Sequence, residues 1–126
     1  MSNERILVVE DNPMNMELIT DLLEISGYEV LQANDAQTGI AMAVQTSLDL
    51  ILMDIHLPDI DGLQVTAILK SNITTKHIPI IAVTAMAMKG DEEKILAAGC
   101  DAYLSKPLHY KDLYRTIENL MESKNN

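Results

Sequence analysis

The stretch "ILVVEDN", residues 6–12, decides how this chain is read. Four apolar residues, Ile6 to Val9, run directly into two acids, Glu10 and Asp11, and then Asn12. A run that is apolar at every position predicts a strand buried on both faces, as in a parallel sheet covered on each side. "LILM" (50–53) and "IIAV" (80–83) are runs of the same kind. Glu29–Ala33 and Ala102–Leu104 complete a set of β-rich runs separated by longer segments with helical punctuation.

Asn12 can cap a helix with Pro13 in its first position. Leu18, Leu22 and Ile25 then recur at i, i+4 and i+7, the spacing of a buried stripe, and Gly27 ends the helix. Asp35 is the expected cap of a second helix with Ala36, Ile40 and Val44 on one side. Asp61 is the expected cap of a third, which carries Leu63 and Ile68. The fourth is expected from Lys89 to Ala98, before Gly99, and the fifth turns Leu113, Ile117 and Leu120 inward. Five β–α repeats predict a doubly wound α/β fold, (βα)5, with a parallel sheet and helices on both faces. In such a sheet ligands bind beyond the carboxyl ends of the strands.

Composition narrows the function. The 126 residues, 48% of them apolar, suit one domain with a proper core. A net charge of -10 argues against nucleic acid and against an anionic membrane surface as partners. No apolar run approaches the length of a membrane span, and the N-terminus lacks the pattern of a signal peptide. The single Cys100 reads as a small core residue and fits a reducing cytoplasm.

At the strand ends stand Glu10 and Asp11, then Asp54, Thr84 and Lys106. If the first and third strands are neighbours, three carboxylates meet at one edge. They must then take up protons or hold a cation. Oxygen-only ligands suit a hard ion such as Mg²⁺, with Mn²⁺ able to substitute. A divalent cation, a lysine and a hydroxyl together stabilise charge on a transferring phosphoryl group, and an aspartate can accept that group. Acids at a helix N-terminus are also favoured without any chemistry. That plainer explanation suits Glu10 or Asp11 alone, but not the whole set.

From "ILVVEDN" through "LILMDIHLPDIDG" and "IIAVTA" to "YLSKPL", nearly the whole chain resembles the receiver domain of two-component response regulators. The resemblance implies a flavodoxin-like three-layer sandwich with strand order 2-1-3-4-5. It implies Asp54 as phosphoacceptor, fed by a sensor histidine kinase or a histidine phosphotransfer protein. Asp11 and Asp54 would hold Mg²⁺ directly, Glu10 would assist through water, and the backbone carbonyl of His56 would be a further ligand. Lys106 would contact the phosphoryl group and precede a cis bond to Pro107. Thr84 and Tyr103 would be the switch pair. Pro58 and Gly62 would shape the loop after the acceptor. Met14, His56 and Ala85 would bear on the lifetime of the phosphoryl group.

The resemblance further implies a phosphoacceptor rather than a turnover enzyme. It also implies a protein target docking on the face of helix 4, strand 5 and helix 5, where Tyr110 and Tyr114 are candidates, as are Met86 and Met88 unless both pack on the sheet. The state expected is a monomer or weak dimer, and the location cytoplasmic. The chain stops at the fifth helix, so a single domain over residues 1–126 without an output domain is expected. The stretch from Val83 to Leu108 is similar to stand-alone regulators of the DivK type, in bacterial cell-cycle and division signalling, and to receivers of hybrid histidine kinases.

Other classes fit less well. A flavin-binding electron carrier would place a Ser/Thr/Gly-rich loop where Glu10 and Asp11 stand. A nucleotide hydrolase would need the G-x-x-x-x-G-K-[ST] loop, which the sequence lacks. A haloacid-dehalogenase-type phosphatase would put its nucleophile after the first strand, with a second Asp two residues on. Here the acceptor follows the third run, and His56 occupies that second place. A receiver fold kept only as a phosphorylation-independent binding module is the remaining alternative.

Overall fold

In the computed structural model, described for residues 4–85 and 91–125, strands and helices alternate along the chain. They are β1 (Arg5–Val9), α1 (Pro13–Ile25), β2 (Glu29–Ala33), α2 (Ala36–Gln45), β3 (Leu50–Asp54), α3 (Gly62–Ser71), β4 (Ile80–Thr84), α4 (Asp91–Ala97), β5 (Ala102–Ser105) and α5 (Tyr110–Asn125). The strands form a sheet in the order β2-β1-β3-β4-β5, each pair parallel. The fold is therefore the doubly wound, flavodoxin-like α/β sandwich expected.

Alternation along each strand builds two cores. On β1, Leu7 and Val9 face one side with Ile51 and Met53 of β3 and Ala82 of β4, under Ala43 of α2, Val65 and Leu69 of α3 and Ile95 of α4. Ile6 and Val8 face the other side with Leu50 and Leu52, under Met16, Ile19 and Leu23 of α1 and Leu113 and Ile117 of α5. Every residue of β3 and β4 is buried. Each fully buried Leu or Ile contributes on the order of 2 kcal/mol, so these two layers dominate the favourable side of folding. Cys100 is buried in the first of them, as expected.

The helix caps lie where the sequence puts them. Asn12 Oδ1 accepts from Met14 N (2.9 Å) and Asn15 N (3.2 Å), Asp35 Oδ1 from Thr38 N (2.7 Å) and Asp61 Oδ1 from Leu63 N (2.7 Å). Gly27 and Gly99 take positive φ after α1 and α4, a conformation nearly closed to other residues. The expected inner faces need correction. On α1 the buried residues are Met16, Ile19 and Leu23, whereas Leu18 and Ile25 are exposed and Leu22 only packs at the margin. Val44 on α2 and Ile68 on α3 are likewise exposed. Leu113 and Ile117 of α5 are fully buried, and Leu120 packs against them. The start of the fourth helix expected at Lys89 lies outside the described residues.

Gly62 opens α3 in contact with the end of β3. Its N–H donates to Ile55 O (2.9 Å), and a Cβ there would lie 2.5 Å from the carbonyl oxygen of Asp54 and 2.7 Å from Ile55 Cα. These are backbone atoms and cannot swing aside. Gly62→Ala should therefore cost about 1–3 kcal/mol, read as a lower midpoint of urea unfolding; an unchanged midpoint would show that this loop yields freely.

Candidate functional site

The register of the sheet assembles the site. Val9 pairs with Met53, so Glu10 and Asp54 are carried to the same edge one residue further on. Asp54 pairs with Val83, and Thr84 with Ser105, which places Thr84 and then Lys106 along that edge. Lys106 N donates to Thr84 O (2.8 Å), continuing the ladder beyond β5. Asp54 and Thr84 are the last residues of their strands rather than the first residues after them.

Oxygens of Glu10, Asp11 and Asp54 all lie within 4.8 Å of one another. Glu10 and Asp54 are only 2% and 4% exposed, while Asp11 faces solvent. Lys106 reaches across the edge: its Nζ stands 3.0 Å from Glu10 Oε1 and donates to Asp54 Oδ2 at 3.2 Å. The first contact is an ion pair without regular hydrogen-bond geometry, which leaves the buried Glu10 Oε1 poorly satisfied. The other oxygens are met by backbone: Asn12 N donates to Glu10 Oε2 (3.1 Å) and His56 N to Asp54 Oδ1 (3.0 Å).

The charges perturb one another. Burial pushes the Glu10 carboxyl above its usual range, Lys106 and the Asn12 amide oppose this, and the charge of Asp54 adds to it. Burial pulls the Lys106 ammonium down, but Glu10 and Asp54 outweigh it and hold the group above its ordinary value. Among the described residues, three carboxylates against one ammonium leave an excess of negative charge at this edge. The donor set is oxygen only, and one buried oxygen is incompletely paired, so the residues present fit a hard divalent cation.

The remaining predicted positions lie around this edge. His56 is exposed, directly after the buried Asp54–Ile55 pair. Thr84 is buried on the strand next to β3. Tyr103, on β5, is half-buried against the α2–α3–α4 core, and its hydroxyl bonds the Glu92 carboxylate of α4, which pushes the phenol upward. The Lys106–Pro107 bond is cis. Tyr110 and Tyr114 meet edge-to-face on α5, and Tyr114 Oη donates to Leu22 O of α1 (2.9 Å). Met86 and Met88 lie outside the described residues.

Sequence reasoning left one acid of the quoted motif without a role. Asp59, in the loop between β3 and α3, accepts from Ala36 N (2.9 Å) and Gln37 N (3.1 Å) at the start of α2. Nothing in the linear pattern pairs residue 59 with residue 36. The only available hint was an additional acid between Pro58 and the cap residue Asp61.

Residues 6–118 match the response regulator receiver domain, and the chain belongs to that family. It is 47% identical over 116 residues, 92% of this chain and 94% of the relative, to the polar-differentiation response regulator DivK of Brucella anthropi. The DivK proteins of Brucella ovis and Brucella suis match to the same extent. Among solved structures, a CheY-like receiver domain protein from Methanospirillum hungatei JF-1 superposes with a TM-score of 0.91 at 31% identity, covering 98% of each chain. The receiver domain of a sensor histidine kinase from Pseudomonas aeruginosa PAO1 superposes with a TM-score of 0.89 at 36% identity, covering 96% of this chain and 99% of that one. That structure holds a magnesium ion coordinated in the active site cleft. Membership in the family makes this chain a component of two-component phosphorelay signalling, with histidine kinases or phosphotransfer proteins as its general class of donor.

The raised Glu10 carboxyl fixes the sign of a pH effect. Stability from a group with a raised folded value is present below its unfolded value, 4.5, and is lost as pH rises through the folded one. Without divalent cations, Glu10→Gln should thus be more stable than the native chain at pH 7, with the gap closing as pH falls toward 4.5. Urea melts across that range check this; a variant less stable at pH 7 would mean that the ion pair with Lys106 outweighs burial.

Proposed function

We propose that Asp54 is the phosphoacceptor of this receiver and that the cluster Glu10–Asp11–Asp54 with Lys106 is its reaction centre. The carrying observation is the meeting of three carboxylates within 4.8 Å, one of them bonded to a lysine from the far side of the sheet. A carboxylate oxygen of Asp54 attacks the phosphorus of a phosphohistidine on the donor protein. The P–N bond breaks, its electron pair returns to the donor imidazole, and that ring takes up a proton.

Asp11, Asp54 and the His56 carbonyl would hold Mg²⁺, or Mn²⁺ in its place, with Glu10 assisting through water, and the cation would supply neutralising charge to the phosphoryl oxygens. Lys106 exchanges its bond to Asp54 for one to a phosphoryl oxygen, since a mobile ammonium follows the charge as it moves. The Thr84 hydroxyl offers a further donor to the same group. Such contacts exist in one state only, which is the condition for phosphorylation to bias a two-state loop. Tyr103 would then exchange its bond to Glu92 for an inward position. The acyl phosphate is lost again by slow self-catalysed hydrolysis, so the protein is a switch rather than a turnover enzyme.

We further propose a stand-alone, cytoplasmic regulator of polarity or cell division, a monomer or weak dimer, read out by a protein target on the face of α4, β5 and α5; the likeness to a polar-differentiation response regulator supports the polarity role. Among the described residues no helix is long and apolar enough to cross a membrane. Incubation with acetyl phosphate should add one phosphoryl group, seen as a mass shift of the intact protein, only when Mg²⁺ is present and not in Asp54→Asn. Lys106→Ala should accept the group on the order of a hundredfold more slowly, the scale of removing one charge-stabilising donor. Phosphorylation of Asp54→Asn to the native extent would move the acceptor elsewhere. If neither acetyl phosphate nor a phosphorylated histidine-phosphotransfer protein modified the native chain, the binding-module reading would replace this one.

A further inference from the structure

Asp59 ties two parts of the molecule that sequence separates widely. The chain leaves β3 at Asp54, and Gly62 N returns to Ile55 O (2.9 Å), so residues 56–61 form a closed loop that starts at the site, where His56 N donates to Asp54 Oδ1. Leu57 and Ile60 pack down on the core, and Asp59 between them points its carboxylate at α2. Among the described residues, the loop's hydrogen bonds to α2 run through this carboxylate.

The acceptors suit their partners. The first amides of a helix have no partner inside it. Asp35 satisfies Thr38 N, and Asp59 supplies Ala36 N and Gln37 N. These are charge-assisted bonds at the positive end of a helix dipole. They draw the Asp59 carboxyl below its usual range, the bond to Ala36 most of all. The anchor itself is rigid. Ala36 and Ala43 of α2 are buried, and Gly39 lets the helix approach β1 so closely that a Cβ there would lie 2.9 Å from Val9 Cγ2. Val9 is the residue before Glu10. The path from β3 through the loop, Asp59 and α2 therefore closes on the strand that carries the other two acids.

We propose that Asp59 is a positioning residue for the reaction centre: its carboxylate clasps residues 56–60 to the N-terminus of α2 and so holds the His56 carbonyl and the approach to Asp54 in register with Glu10 and Asp11. This rests on the receiver reading above. Because the clasp is exposed and Asp35 still caps the helix, removing it leaves the fold in place and acts on the loop.

The test compares the native chain, Asp59→Ala and Asp59→Asn, each checked for folding by far-UV circular dichroism. Both variants lose the charge, but Asn keeps one carbonyl oxygen as acceptor, so the gap between them reports the hydrogen bond. Without metal, hydrogen exchange of the amides of residues 56, 57, 59 and 60 should quicken in Asp59→Ala and less in Asp59→Asn. By calorimetry Mg²⁺ should bind Asp59→Ala about tenfold more weakly than the native chain, the scale of losing an outer-shell support, with Asp59→Asn between. Mg²⁺ affinity in Asp59→Ala within about twofold of native, with faster exchange confined to Ala36 and Gln37, would reduce Asp59 to a helix cap and overturn the proposal alone. A native chain that takes no Mg²⁺ would overturn the receiver reading and the proposal with it.

Discussion

The structure is organised around an electrostatic conflict. Two nearly buried carboxylates, Glu10 and Asp54, and a third, Asp11, stand at the ends of adjacent strands, and among the described residues the ammonium that pairs with them is that of Lys106. Removing one such ion from water costs several kcal/mol if nothing compensates. The compensation is partial: two backbone amides and one lysine answer the carboxylates, and Oε1 of Glu10 stays incompletely paired. The deficit is held in place because the strands below are apolar on both faces and packed from both sides. A site left short of positive charge in the free protein is one that a divalent cation can complete.

The rest of the fold keeps that deficit from relaxing. Asn12 both caps α1 with its side chain and donates its own amide to Glu10, so the helix start and the acid are fixed together. Gly62 brings α3 against the backbone of Asp54, leaving no room for the strand end to shift. Lys106 is held by its amide on Thr84 as well as by its side chain on Asp54. Each constraint joins the end of one strand to its neighbour or to the helix that follows it.

Much of this could be read from sequence because it depends on local chemistry. Runs such as "LILM" have no polar position, and their burial on both faces follows directly. The caps at Asn12, Asp35 and Asp61 are short-range events that residue type nearly determines. The strand order, by contrast, came from family resemblance, since local pattern does not specify which strands pair. The inner face of α1 differs from the stripe its spacing suggests for a physical reason. That helix carries Met14, Met16, Leu18, Ile19, Leu22, Leu23 and Ile25, so more than one stripe satisfies helical spacing. Which stripe is buried depends on how α1 leans on the sheet, and the sheet chose Met16, Ile19 and Leu23. The contacts of Asp59 with α2, of Tyr114 with Leu22 and of Tyr103 with Glu92 are tertiary in the same sense.

The most direct test of the charge deficit is the thermal unfolding of the cation-free chain, with and without Mg²⁺, for the native protein and for Asp11→Asn. A cation that binds the folded state alone raises its stability by mass action, by about 2.7 kcal/mol at a hundredfold excess over the dissociation constant. The account predicts a clear rise in the native midpoint that grows with Mg²⁺ concentration and is largely lost in Asp11→Asn. A native midpoint indifferent to Mg²⁺, or a rise kept in full by the variant, would contradict the view that these three carboxylates form a site built to be completed by a cation.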